Sequence, residues 1–385
     1  MGRYNQGGLR QVSAPYSTQK MNQGETSVKP STIGNSKIDA IKTKNRKFGF
    51  SLWQILLPVG ISLLVVTLLM RENITVDSFE GFVLTRRSMT GIGLAIIAWG
   101  VQNLAMGHRY YMLAYPYMSK RGSLRVTFLV DFASAVTPSA VGGSSVAFLF
   151  MGREGVNVGR ATAITIGGLF LDELLMSLIG VFLLFFVHKG LGIEDIPALS
   201  VGIHITLVML TVILSLWTLA LHVSLFHKSA WVGNFFLWVT SWKPLHRWRG
   251  GAEKLKSDLL MASQEMRDMD GWYWVKLFGA TIVSWGARFT IACLLVYGFS
   301  TMDMDWMVAY IRQMAIWLLA IIIPTPGGSG FSEYMFKVAY VDYFPNPAIA
   351  LMVALVWRVI TSFSYLVIGP IILTYQLRRK KPVSH

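Results

Sequence analysis

The 385 residues are 53% hydrophobic and only 14% charged, with a mean hydropathy of +0.49. A soluble domain carries about a quarter charged residues, so this composition excludes an ordinary water-soluble enzyme and points to a polytopic membrane protein. The net charge of +15 sits in a tail and in loops between apolar runs, where membrane proteins collect Lys and Arg, so nucleic acid is excluded as a partner; the single cysteine, Cys293, excludes an internal disulfide and a cysteine zinc site.

Residues 1–47 are polar and lack apolar periodicity. They read as a disordered basic tail and not as a signal peptide. Apolar runs follow at about 50–70, 89–107, 126–150, 161–187, 200–226, 272–300, 306–330 and 346–375. About 20 such residues cross a bilayer, so 48–375 reads as one transmembrane domain, followed by a short basic tail at 376–385. The runs 126–150 and 306–330 are broken by proline and glycine, which a membrane tolerates only where protein or water satisfies the freed backbone groups.

If those two runs enter and leave on one side, six full spans remain. The tails, 108–125, 151–160 and 227–271 then face the cytoplasm with 26 of the 35 basic residues, and the outer segments carry five. That asymmetry favours cytoplasmic termini. Eight full spans also put both termini inside, but place Arg153 and Arg160 outside, so the count favours re-entry. Within 227–271, Leu255, Leu259, Ala262, Met266 and Met269 share one helical face. The expectation is an amphipathic connector lying on the inner leaflet, with docking of a partner enzyme as the alternative.

The first break reads Asp131 through Thr137-Pro138-Ser139-Ala140-Val141-Gly142-Gly143-Ser144-Ser145. The second reads Pro324-Thr325-Pro326-Gly327-Gly328-Ser329-Gly330 and continues to Ser332 and Glu333. Each carries Thr-Pro and then Gly-Gly-Ser, and each precedes a helix with a charge near its centre: Asp172 and Glu173 in the first half, Arg358 in the second. The topology brings the two in from opposite faces, which makes an inverted repeat with two discontinuous helices, an architecture that places a binding site near the midplane. Gly-Gly-Ser after proline can present successive N–H groups to an anion. The hydroxyls of Ser144, Ser145, Ser329 and Ser332 add donors, and Arg288 or Arg358 would complete a phosphate site. The same glycines would also serve close helix packing.

Asp131, Asp172, Glu173, Arg288, Arg312, Glu333 and Arg358 read as intramembrane charges, each costing at least ~2.5 kcal/mol at a helix centre. Mutual pairing, for example of Asp172 with Arg288, and a polar pathway are both open readings. His204 and His222 read as helix-to-helix hydrogen bonders. The sequence shows no Walker loop, dinucleotide fingerprint, His-Glu-x-x-His or Gly-x-Ser-x-Gly, and no metal or cofactor site is expected.

Val136 to Gly143 and Pro324 to Glu333 resemble the lysylphosphatidylglycerol synthase transmembrane region, the flippase-like part of a bifunctional protein that also occurs as stand-alone members. The similarity extends over roughly 48–375. Pro138, Gly142, Gly143, Pro326, Gly327, Gly328 and Glu333 match its motifs, and Arg358 stands at a last-helix arginine. The resemblance implies an all-α protein of the cell's inner membrane with re-entrant helices that moves a lipid between leaflets. Many members place an acid directly after the first Gly-Gly and an arginine three residues on, where this chain has Ser144, Ser145 and Phe148. The sequence holds no counterpart of the aminoacyl-transfer domain, so this chain alone is not expected to make lysyl-lipid. The expected activity is a flippase or transporter for a phospholipid, an aminoacylated phospholipid or a polyprenyl-phosphate carrier. The alternative is a non-catalytic membrane partner of a glycosyltransferase or lipid-modifying enzyme.

Overall fold

The computed structural model describes residues 84–137, 143, 146–186, 197–227, 230–241, 249–323 and 325–378, together with Gly60 and Leu64. The N-terminal tail, nearly all of the first apolar run and most of the first Pro-Gly break therefore lie outside the described residues. Helix starts follow local chemistry. The Thr85 hydroxyl accepts the Ser88 N–H at the start of α1 (Arg86–Ala114), and the Ser119 hydroxyl accepts the Gly122 N–H at the start of α2 (Lys120–Val136). Then come α3 (Ala147–Arg153), α4 (Val158–Phe186), α5 (Pro197–His222, running into a π-helical turn Val223–His227), α6 (Ala230–Thr240) and α7 (Arg249–Arg267). Helix α8 spans Gly271–Phe299. Asp305 caps α9 (Trp306–Ala320), and α10 covers Phe331–Tyr340. Asn346 caps α11 (Pro347–Arg358), a π-helical turn Val359–Phe363 follows, and α12 (Ser364–Arg378) closes the described chain.

Among the described residues, five stretches are long and apolar enough to cross a bilayer: α1, α4, α5 with its π turn, α8, and α11 through α12. A 29-residue helix such as α1 or α8 is about 43 Å long at 1.5 Å per residue, more than the ~30 Å hydrocarbon core. Ile97, Leu104, Phe185, Leu216 and Ile371 are exposed on these helices, as lipid-facing side chains must be. The protein is an all-α polytopic membrane protein. The broken runs behave differently. Helices α2 and α3 have 17 and 7 residues, and α9 and α10 have 15 and 10, each too short to cross alone.

The order of a long helix, a broken pair and a long helix occurs twice, as α1 to α4 and as α8 to α12. The leading helices of the two sets run antiparallel along their whole length. At one end a Cβ on Gly91 would lie 2.8 Å from the Gly298 Cα. Midway, the Ser284 hydroxyl donates to the Gln102 carbonyl at 3.1 Å. At the other end, the Tyr273 hydroxyl donates to the Met112 carbonyl at 2.7 Å. Antiparallel equivalents are what an inverted repeat demands. One apolar core, around Val126, Phe150 and Ile164, is drawn mostly from the first set, and another, around Ile291, Ile316, Phe336 and Val353, mostly from the second.

The 227–271 region departs from expectation. The apolar face of α7 lies on protein: Leu259, Ala262 and Met266 are buried in the first core beside Ile164. Gly159 at the start of α4 permits this, because a Cβ there would sit 2.1 Å from the Asp258 side chain and 2.8 Å from the Leu259 nitrogen. Arg160 donates to both carboxylate oxygens of Glu265 at 2.5 and 2.6 Å. Helix α7 is therefore a docked strut whose apolar face covers α4, while Met269, at the end of the stripe, is exposed.

Re-entry makes a labelling prediction. In a Cys293→Ser background, Gly155→Cys and Ser257→Cys are expected to react with a membrane-impermeant maleimide from the same side, and Asp303→Cys from the opposite side. Reaction of Gly155→Cys from the side that labels Asp303→Cys would mean that α2 and α3 together cross the membrane.

Candidate functional site

The second break builds a rigid turn. After α9 the chain passes Thr325 into a 3-10 turn, Pro326–Gly328, and then enters α10. Gly327, Gly328 and Gly330 have φ of 58°, 70° and 87°, the left-handed region that glycine enters without steric cost. The Gly328 N–H closes on the Thr325 carbonyl at 3.0 Å. The Gly330 N–H donates to Glu333 Oε2 at 2.7 Å, and that carboxylate caps the first turn of α10. These two amides are thus spent within the turn and do not point at a ligand, contrary to the expectation of a continuous N–H cradle.

Arg358, at the end of α11, grips this turn from the other side. Its Nη2 donates to the Gly327 carbonyl at 2.9 Å and to the Ser329 hydroxyl at 3.0 Å, and its Nε lies 3.0 Å from Glu333 Oε1. Glu333 is fully buried and Arg358 nearly so. The glycine turn in turn rests on α2: a Cβ on Gly327 would stand 3.4 Å from the Ala135 Cα. The tip of the second break and the end of α2 therefore meet.

Where they meet there is a cavity of about 80 Å³. Asp131 and Ser134 of α2, Arg288 of α8, Trp317 of α9, Gly327, Gly328 and Ser332 of the second break, and Arg358, Thr361, Ser362 and Tyr365 of the last helix face it. Arg288 lies near the middle of the 29-residue α8, so the cavity sits near mid-depth. The Arg288 guanidinium donates to Asp131 at 3.0 Å, and its centre lies 5.1 Å from the rings of both Trp285 and Trp317, within cation–π range. Ser329 and Glu333 stand behind the lining and hold the turn.

Asp172 and Glu173 do not join the cavity. Asp172 pairs with Arg109, and not with Arg288 as one sequence reading allowed. Arg109 Nη1 and Nη2 donate to its two oxygens at 2.6 and 2.8 Å, and Trp285 Nε1 donates to Oδ1 at 2.8 Å. Arg109 is fully buried and donates also to the Thr281 hydroxyl at 3.1 Å. Sequence reasoning placed Arg109 in a loop because the apolar run ends at 107, whereas α1 continues to Ala114. Glu173 is buried and makes no ion pair among the described residues. Arg312 pairs with Asp342 at 2.7 Å and donates to the Ala339 carbonyl. The ring of His222 lies against Phe226 and Phe170.

Of the first break, Pro138, Gly142, Ser144 and Ser145 lie outside the described residues. The Thr137 hydroxyl donates to the Ala133 carbonyl at 2.7 Å and ends α2. Gly143 packs on α2: a Cβ there would sit 2.0 Å from the Ser134 hydroxyl oxygen and 2.2 Å from the Val130 carbonyl oxygen. Its lack of a side chain serves close packing, so Gly143→Ala is expected to lower the monodisperse fraction on gel filtration. An unchanged elution profile would contradict the packing role. The polar pair that sequence reasoning passed over is Gln102 and Asn103. Both are buried in α1 and bind the Tyr365 hydroxyl at 3.0 and 3.1 Å, fixing one cavity wall.

A family model described as the lysylphosphatidylglycerol synthase TM region matches residues 55–369. The chain belongs to this family. A relative described as a UPF0104 membrane protein, from Archaeoglobus fulgidus, is 25% identical over 275 residues, which cover 68% of this chain and 78% of that protein. The matched region includes both breaks and all of the cavity wall, so the clamp between Arg358 and the glycine turn lies inside the family domain.

Proposed function

We propose that this chain moves a phosphate-bearing lipid between leaflets, without covalent chemistry, and that the headgroup passes through the cavity between α2 and the glycine turn. Both termini lie on the cytoplasmic side of the inner membrane in this reading. The observation that carries it is the cavity itself: a space at mid-depth, lined from both broken segments, into which Asp131, Arg288 and Arg358 bring charge. Arg358 is committed to the turn by three partners, so it holds the wall. Arg288 is tied to one carboxylate oxygen and is the group available to a phosphate. Asp131 then accepts a proton or the cationic part of the headgroup, because a carboxylate stripped of its partner at this depth is costly. A phospholipid, an aminoacylated phospholipid and a polyprenyl phosphate all carry the phosphate this pair requires.

The test is leaflet translocation of fluorescent lipids by the purified protein in liposomes. The parent is expected to raise exchange above protein-free vesicles. Arg288→Gln is expected to slow it by about tenfold, since a hydrogen bond to a charged group contributes ~1.5–3 kcal/mol. Parent vesicles that exchange no lipid of the three classes faster than empty ones would sink the reading.

A further inference from the structure

A second lipid contact lies on the outer surface of the bundle, independent of the cavity and of any transport reading. At the end of α1 that runs into Tyr115, helices α1 and α8 leave between them a groove of about 590 Å³. Ala105, His108 and Met112 line it from α1, and Lys276, Ala280 and Val283 from α8. These sets recur at helical spacing, so each is one face of its helix. At the far end of the same two helices, Gly91 and Gly298 bring the backbones into contact, so the groove belongs to the Tyr115 end alone.

The depth of Lys276 and His108 is informative. Lys276 is five residues from the start of α8 and His108 six from the end of α1, so each lies about 8–9 Å inside its helix terminus. A helix of about 43 Å centred on a ~30 Å hydrocarbon core leaves about 7 Å in the headgroup layer at each end. Lys276 and His108 therefore stand together at the boundary between headgroups and acyl chains. Ala105, Ala280 and Val283 lie on the deeper side, where small side chains open space along the helices. Among the described residues neither Lys276 nor His108 makes an ion pair. Both are exposed. The Lys276 ammonium has the Trp272 ring at 5.9 Å, and Lys120 adds a further positive charge above Tyr111, whose ring neighbours His108. A cation at this depth without a carboxylate needs an anionic counterpart, and the bilayer supplies one in its phosphates.

We propose that this groove holds an anionic phospholipid of the adjoining leaflet, its phosphate on Lys276 and His108 and its glycerol and upper acyl chain along Ala105 and Ala280. A zwitterionic lipid fits the same space, but its own ammonium offsets the attraction.

The test uses the full chain purified in detergent and titrated with dioleoyl phosphatidylglycerol or dioleoyl phosphatidylcholine, with bound lipid read by native mass spectrometry. Phosphatidylglycerol is expected to stay bound under conditions that strip phosphatidylcholine. Lys276→Ala is expected to weaken it about fivefold, the worth of one basic residue near an anionic surface. Ala280→Trp, which fills the groove and keeps the charge, is expected to weaken it as well and serves where the lysine variant fails to fold. The groove variants are compared in an Arg288→Gln background, so that lipid held in the cavity does not mask what the groove retains. Equal retention of the two lipids, or parental retention by both groove variants, would overturn the proposal. Full displacement by soluble glycerol phosphate would also overturn it, by making the site one for a free anion.

Discussion

Replacing Asp172 by asparagine is expected to lower the stability of the bundle by about 3–5 kcal/mol, the cost of leaving one member of a buried ion pair alone. Arg109 is 1% exposed and Asp172 15%, so solvent does little to compensate the orphaned guanidinium. The site is also braced from a third helix, through Thr281 and Trp285 of α8, so α1, α4 and α8 lose a common anchor together. Arg109→Met should do comparable damage. The double variant Arg109→Met, Asp172→Leu removes both charges and should cost far less than the sum of the two single changes. Thermal unfolding in detergent, followed by tryptophan fluorescence, measures this. Additive losses in the double variant would show that the pair is not an energetic unit. Because Trp285 also stacks on Arg288, a modest loss of translocation should accompany the loss of stability.

The apolar runs were legible because length and composition alone decide what can cross a bilayer, and α4, α5 and α8 fall within a few residues of the expected limits. The breaks were legible because proline lacks a backbone N–H to donate and glycine admits left-handed backbone that ends a helix. Glu333 was half legible: Gly330 and Glu333 are three residues apart, the spacing of a helix cap. The pairing of charges was not legible. Arg109 and Asp172 are 63 residues apart, and Arg288 and Asp131 are 157 apart; hydropathy carries no information on which helices touch. Arg109 was missed for a related reason. A run scored by apolar content stops at the first charges, but a helix continues through His108, Arg109 and Tyr110 when its buried face meets a carboxylate. The face of α7 was misassigned because an amphipathic stripe reads the same whether protein or lipid covers it, and Gly159, which admits the protein, lies about 100 residues away.

Glu333→Gln is expected to disable transport and to destabilise the glycine turn, because Glu333 has two tasks at once. One oxygen caps α10 through the Gly330 N–H and the other faces the Arg358 Nε. A glutamine retains one acceptor but leaves Arg358 buried without its counter-charge, at a cost of about 3–5 kcal/mol. Arg358→Lys separates the latch from simple charge. Lysine keeps the positive charge beside Glu333, but a single ammonium cannot reach the Gly327 carbonyl, the Ser329 hydroxyl and Glu333 with the planar geometry of the guanidinium. The fold should therefore survive Arg358→Lys while the turn loosens from Ala135 and translocation falls by about a hundredfold, the loss of two hydrogen bonds to a charged donor. If Arg358 acts by holding the turn, the loss should be the same for lipids with one phosphate and with two. If it binds the phosphate directly, the doubly charged lipid should suffer more. The paired change Glu333→Leu, Arg358→Met tests the same division from the other side: stability should recover toward the parent, since no charge is left unpaired, and transport should not, since nothing grips Gly327. Recovery of both would mean that the turn needs no latch, and would leave Arg288 as the sole arginine on which headgroup passage depends.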